Sequence, residues 1–174
     1  MRKWNKLGQI FQMSEIHPLL KTHASNPLPV KLSDDIYRIF FSGRDIFNRS
    51  SVGFVDFNMR TLNLVNTCKE PIAQFGTDES FYSHGISIGN MYTNGTHNYI
   101  LYMGWNIPKG EHWRGDIGQL ELINNNQLKQ TSNLPFMSVD TEDRISLSYP
   151  FVLFDNGIFK MWYGSTVSWD SING

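Results

Sequence analysis

The sequence predicts an all-β chain, a partial β-propeller of about three blades, on three observations. Helical periodicity is weak throughout, while short alternating or aromatic-rich runs recur between Gly, Asn, Asp and Pro, the pattern of strands separated by turns. Aromatic residues make up 14% of the 174 residues, and such side chains suit a pleated, half-buried surface. A strand-like core also repeats: it begins at Tyr37, Tyr99 and Phe159, so successive copies start 62 and 60 residues apart.

Each copy opens on a short apolar run that starts at a small or turn-forming pair, at 26–30 (NPLPV), 84–88 (HGISI) and 149–153 (YPFVL). A turn follows each run. Ser33-Asp34-Asp35 supplies the first, while Asn94-Gly95 and Asn156-Gly157 supply the others with the pairing that hairpins favour because it tolerates positive φ. The second strand then runs through 37–45, 99–106 and 159–166, ending in small or polar residues. A third strand follows at 51–57 and 116–122 in the first two copies, and the third copy stops before reaching one. The repeats span approximately 20–75, 76–140 and 141–174 of one domain, and a fixed period of this size points to propeller blades rather than to a single β-sandwich. Propellers close with about 4 to 8 blades, so the sequence predicts an unclosed ring, and its ending at Trp169-Asp170-Ser171-Ile172-Asn173-Gly174 suggests truncation part-way into a blade. Unclosed blade edges lead to the expectation of self-association.

Composition narrows the partners. Charged residues are 18% of the chain and the formal net charge is -1, so no basic field exists to hold nucleic acid or an anionic membrane. No apolar run is long enough for a signal peptide or a membrane helix, and a cytoplasmic protein is expected. The single cysteine, Cys68, agrees with a reducing compartment and is expected to be buried and inert. No two histidines have the i, i+4 spacing of a helical zinc site, and no phosphate loop, dinucleotide fingerprint or nucleophile elbow occurs, so neither metal nor cofactor is expected.

In a propeller, ligands sit in the funnel at the starts of the innermost strands. Those starts carry His23, Ser25 and Asn26, then Tyr82, Ser83 and His84, then Ser146, Ser148 and Tyr149. The loops after the second strands add Arg44, Asp45, Asn48 and Arg49 in the first repeat, and Trp105, Asn106, His112, Trp113 and Arg114 in the second. Planar polar groups that bind hydroxyls, beside aromatic faces that cover C–H surface, suit a carbohydrate ligand.

The stretch 23–57, with Asn-Pro at the strand start, YRIFFSGRD, and then NRSSVGFVD, resembles the first blade of the five-bladed arabinanase, levansucrase and invertase superfamily. The segments YMGWN at 102–106 and KMWYGS at 160–165 resemble its second and third blades. The nearest resemblance is to uncharacterised glycosidase-like proteins of bacterial surface-polysaccharide clusters, and it implies a full-length relative of about 300 residues. Members of glycoside hydrolase families 43 and 32 in that superfamily carry an acidic residue at the start of each of the first three blades, and cleavage needs at least two carboxylates. The corresponding positions hold Asn26, Ser83 or His84, and Ser148, none of them acidic.

Asp45, beside Arg44, is the first choice for a substitute acid, and its structural alternative is an ion pair with Arg44 or Arg49. Asp78 and Glu79, and then Asp140, Glu142 and Asp143, are the other acids near strand starts, with solvated loops as the alternative. The expected function is therefore hydrolysis or transfer of a glycosyl unit in surface-polysaccharide metabolism. The alternatives are a glycan-binding or scaffold propeller that does not cleave, or an inactive piece of a longer gene product.

Overall fold

The computed structural model describes residues 3–14 and 16–169; residues 1, 2, 15 and 170–174, the last including most of the predicted unfinished ending, lie outside the described residues. Ten strands and no helix occupy the described residues. Strands β1 (Thr22–Lys31), β2 (Ile36–Arg44), β3 (Ser50–Asn58) and β4 (Asn63–Thr67) pair antiparallel in sequence order as the first blade. Strands β5 (Gly85–Asn94), β6 (His97–Asn106), β7 (Arg114–Ile123) and β8 (Gln127–Gln130) repeat that order as the second. Strands β9 (Ser146–Asp155) and β10 (Ile158–Thr166) form a two-stranded third unit. One parallel pair, Ser50 with Gly85, links the first two blades, and the sheets do not close into a ring.

Local chemistry fixes the hairpins. Asn156 and Gly157 both take positive φ, 51° and 82°, which matches the twist of the strands they join. The fourth strands β4 and β8 are absent from the sequence-based prediction because they are short and largely exposed, with little alternation to mark them.

Alternation along the strands distributes the core between blades. Ile100 and Tyr102 of β6 join Leu120 and Leu122 of β7 against Leu28, Val30, Phe40 and Val52 of the first blade. Leu101 of β6 and Ile117 of β7 point the other way, packing with Leu147 and Val152 of β9. Because successive strand residues face opposite sides, one blade is sandwiched between two neighbours, and each fully buried Ile or Leu contributes about 1.5–3 kcal/mol. The outer side of the first blade is partly covered by the N-terminal segment, where Phe11, Met13 and Ile16 pack on Leu20, Phe41, Val55 and the buried Cys68. Burial pushes the Cys68 thiol up, as an inert thiol requires. Among the described residues nothing covers the outer side of the third unit, and Phe151, Leu153 and Trp162 are about half exposed.

Candidate functional site

Pairing with the second strands identifies which inner-strand residues face the funnel. Ser42, Gly104 and Gly164 stand at equivalent places in β2, β6 and β10, and they pair with Ser25, Ile86 and Ser148. The next residues along the inner strands are Asn26, Ser87 and Tyr149. In the first and third blades this position is a bulge, with Asn26-Pro27 and Tyr149-Pro150 each inserted opposite a single residue of the second strand. Proline is tolerated there because the ladder is already interrupted and its missing N–H costs nothing. His23, Asn26 and Tyr149 take left-handed backbone, with φ of 63°, 56° and 49°. Such strain costs of order 1–3 kcal/mol per residue and re-aims the side chain.

Asn26, Ser87 and Tyr149 converge on one cavity of about 390 Å³, which His23 and Ser25 of β1 and Arg44 at the end of β2 also line. Trp105 of β6 and Trp113 from the loop before β7 supply its aromatic walls. Trp105 is held by its Nε1–H, which donates to the Ser50 hydroxyl at 2.8 Å, and its ring lies 5.7 Å from that of His84. The Arg44 guanidinium stands 5.9 Å from the Trp105 ring centre. His23 and Ser25 are steadied by Thr22 and by the Ser42 carbonyl, at 2.9 and 3.0 Å. No carboxylate lines this cavity among the described residues.

Strand pairing sets Ser87 and Tyr149 level with Asn26. Sequence reasoning sets Ser83 or His84, and Ser148, at the corresponding places; Ser83 and Ser148 are buried and do not line the cavity. Ser87 is missed by sequence reasoning because the second blade carries its bulge two residues later, at Gly89-Asn90, which shifts the apparent alignment of the inner strands.

Asp45 is placed in the loop rather than in the cavity. Its Oδ1 accepts the backbone N–H groups of Phe47 and Arg49 at 2.8 Å each, and its Oδ2 accepts Arg49 Nε–H at 2.9 Å. The residue is 4% exposed, so both oxygens are spent on folding the 45–49 loop. Arg49 lies over Phe75 at 4.1 Å, and Asn48 is exposed in left-handed backbone. Arg114 is likewise engaged, its guanidinium forked onto Asp116, which also accepts from Ser138 and from the Val139 N–H. Together with His112, Trp113 and Trp169, Arg114 lines a neighbouring cavity of about 380 Å³. Asn106 sits at the end of β6 with its Oδ1 buried and unpartnered.

The remaining acids lie apart from the central cavity. Asp78 and Glu79 are exposed, and Glu79 lines a separate cleft of about 630 Å³ with Phe75, Ser80 and Tyr82. Asp140 accepts the N–H groups of Glu142 and Asp143, closing its own loop. Hydrogen bonds from Ser165 and Tyr163 hold the Asp143 carboxyl below its ordinary range.

No protein-family profile matches the chain. Two uncharacterised proteins from strains of Mycobacterium tuberculosis are each 36% identical to it over 167 residues, which are 95% of this chain and 56% of the relative. The chain thus spans little more than half the length of these relatives. Among solved structures, a protein from an RGII complex aligns at a TM-score of 0.63 and 11% identity, covering 82% of this chain and 47% of the other. A glycoside hydrolase aligns at 0.62 and 12% over the same shares, and a glycosyl hydrolase from Bacteroides ovatus at 0.56 and 13%, covering 84% and 44%. The fold is glycosidase-like. At these identities the likeness establishes architecture alone.

Proposed function

We propose that this chain forms the saccharide-binding part of a glycosidase-like β-propeller. The observation that carries the reading is the convergence of Asn26, Arg44, Trp105 and Tyr149, from three different blades, on one polar and aromatic cavity without a carboxylate. Indole and phenol rings offer flat surfaces for the C–H faces of a sugar, while serine hydroxyls, the asparagine amide and the guanidinium match its hydroxyls. The strained backbone at His23, Asn26 and Tyr149 supports the same reading, since strain of this kind collects where side chains are aimed at a ligand.

Hydrolysis or transfer of a glycosyl unit is the second reading, favoured by the likeness to glycoside hydrolase structures. Two carboxylates are the minimum for it, and Asn26, Ser87 and Tyr149 provide none. The resemblance to proteins of surface-polysaccharide clusters makes a bacterial surface glycan the proposed source of the ligand.

The test is a glycan array probed with the 174-residue chain, followed by incubation of each bound oligosaccharide and assay for new reducing ends. Binding without cleavage is expected, with Trp105→Ala weakening it about tenfold. Release of reducing ends would favour the second reading, and a blank array would overturn both.

A further inference from the structure

Among the described residues, the arginines are almost all committed. Arg38, Arg49, Arg60 and Arg114 each pair with an aspartate at 2.6–3.1 Å, and Arg144 donates to the Thr141 carbonyl. Arg44 differs: among the described residues its guanidinium makes neither an ion pair nor a hydrogen bond, only the contact with the Trp105 ring. It is also the arginine that lines the central cavity, where no carboxylate stands opposite it among the described residues. The adjacent carboxylate of Asp45 is turned into its own loop and matched by Arg49.

We infer that the cavity takes an acidic saccharide, a sugar bearing a carboxylate that the Arg44 fork receives while its ring lies against Trp105. This rests on the saccharide-binding reading above and specifies its ligand class. A guanidinium with no ion pair, lining a polar cavity and 5.9 Å from an indole ring centre, is suited to an anion. Two parallel N–H donors fit a planar carboxylate bidentately. A sulfated sugar offers the same charge without the planar pair of oxygens.

The experiment uses the full chain and isothermal titration calorimetry with uronate trisaccharides, their carboxyl-reduced neutral counterparts, and sulfated trisaccharides of the same backbone. Expected is binding of a uronate at least about tenfold tighter than its reduced counterpart, with that difference lost in Arg44→Gln and only partly kept in Arg44→Lys. The circular dichroism and melting temperature of both variants serve as the folding control, and the reduced sugar, which meets Arg44 through hydroxyls alone, should lose less affinity in them than the uronate does. Equal affinity for acidic and reduced sugars overturns this inference while leaving the saccharide site standing. Preference for the sulfated sugar over the uronate also overturns it, and no binding by any sugar overturns both readings.

Discussion

The carboxamide of Asn90 clamps the backbone of Val152 from both sides. Its Oδ1 accepts the Val152 N–H and its Nδ2 donates to the Val152 carbonyl, each at 2.7 Å. The second blade is thereby tied to the third through a residue at the bulge of β5, and Asn26 makes a lesser tie of the same kind, donating to the Ile88 carbonyl at 3.0 Å. Inner strands of a propeller do not share a ladder, so side-chain amides stand in for one.

Asn90→Ala strips both bonds and leaves two half-buried backbone groups unpaired. A loss of about 2–4 kcal/mol is expected in urea denaturation, taking about 1–2 per bond. Asn90→Asp should be no better at neutral pH, because a carboxylate oxygen would face the Val152 carbonyl.

Arg38 and Asp56 form a buried fork across β2 and β3, at 2.8 and 2.9 Å, with Arg38 also 3.8 Å over the Phe54 ring. Burial opposes ionisation of Asp56, but hydrogen bonds from Arg38 and Asn66 and the Arg38 charge outweigh it and hold the carboxyl below its ordinary range. A lowered carboxyl pKa gives stability that is present above the unfolded value of 3.8 and lost as pH falls through the lower folded value. Denaturation midpoints measured from pH 7 down to pH 3 should therefore fall more steeply for the parent than for Asp56→Asn. At pH 7 Asp56→Ala should cost about 3–5 kcal/mol, the penalty for stranding a buried charge.

Asp45→Ala separates the loop role of this residue from a catalytic one. It removes the acceptor for three N–H groups, so the melting temperature should drop by an amount matching about 1–3 kcal/mol. Saccharide affinity should stay within about twofold, since no bond from Asp45 reaches the cavity. A large affinity loss with an unchanged melting temperature would return Asp45 to the site.

Gly118 of β7 lies against the ring of Tyr102, where an added Cβ would overlap the phenol. Tyr102 is fully buried and its hydroxyl accepts from Gln130 at 2.6 Å, so it has no room to retreat. Gly118→Ala should destabilise by about 1–3 kcal/mol in thermal melts, and Tyr102→Phe should not relieve it, because the ring carbons nearest the added methyl stay in place.

Phe151, Leu153 and Trp162 form an exposed apolar stripe on the open side of the third unit. Sedimentation velocity should show concentration-dependent association of the chain. Replacing all three by Ser should shift it toward monomer without changing its far-ultraviolet circular dichroism.

The repeat was legible because blade packing writes itself into the chain. Each inner and second strand must alternate between a face toward one blade and a face toward the next, so Tyr37, Tyr99 and Phe159 recur in phase and their turns carry Asn-Gly in the second and third copies. The short outer strands β4 and β8 were not legible, since exposed strands place little demand on residue type. His23, Asn26, Arg44, Trp105, Trp113 and Tyr149, singled out by their positions in the sequence, all line the central cavity. Ser87 was hidden by a displaced bulge, and the ties of Asp45 and Arg114 were hidden because a side chain's partner depends on loop geometry.

Sequence by itself determined the all-β class, the period of the blades and the lack of acidic residues at the strand starts, because these follow from residue types and their spacing. Only the tertiary structure decided that, among the described residues, Asp45 and Arg114 are spent on the fold while the Arg44 guanidinium makes neither an ion pair nor a hydrogen bond. A carboxylate or guanidinium looks the same in sequence whether or not its hydrogen bonds are filled. The difference between Asp45, saturated by its loop, and Arg44, left open beside Trp105, arises from left-handed turns and bulges that aim side chains only once the strands have paired.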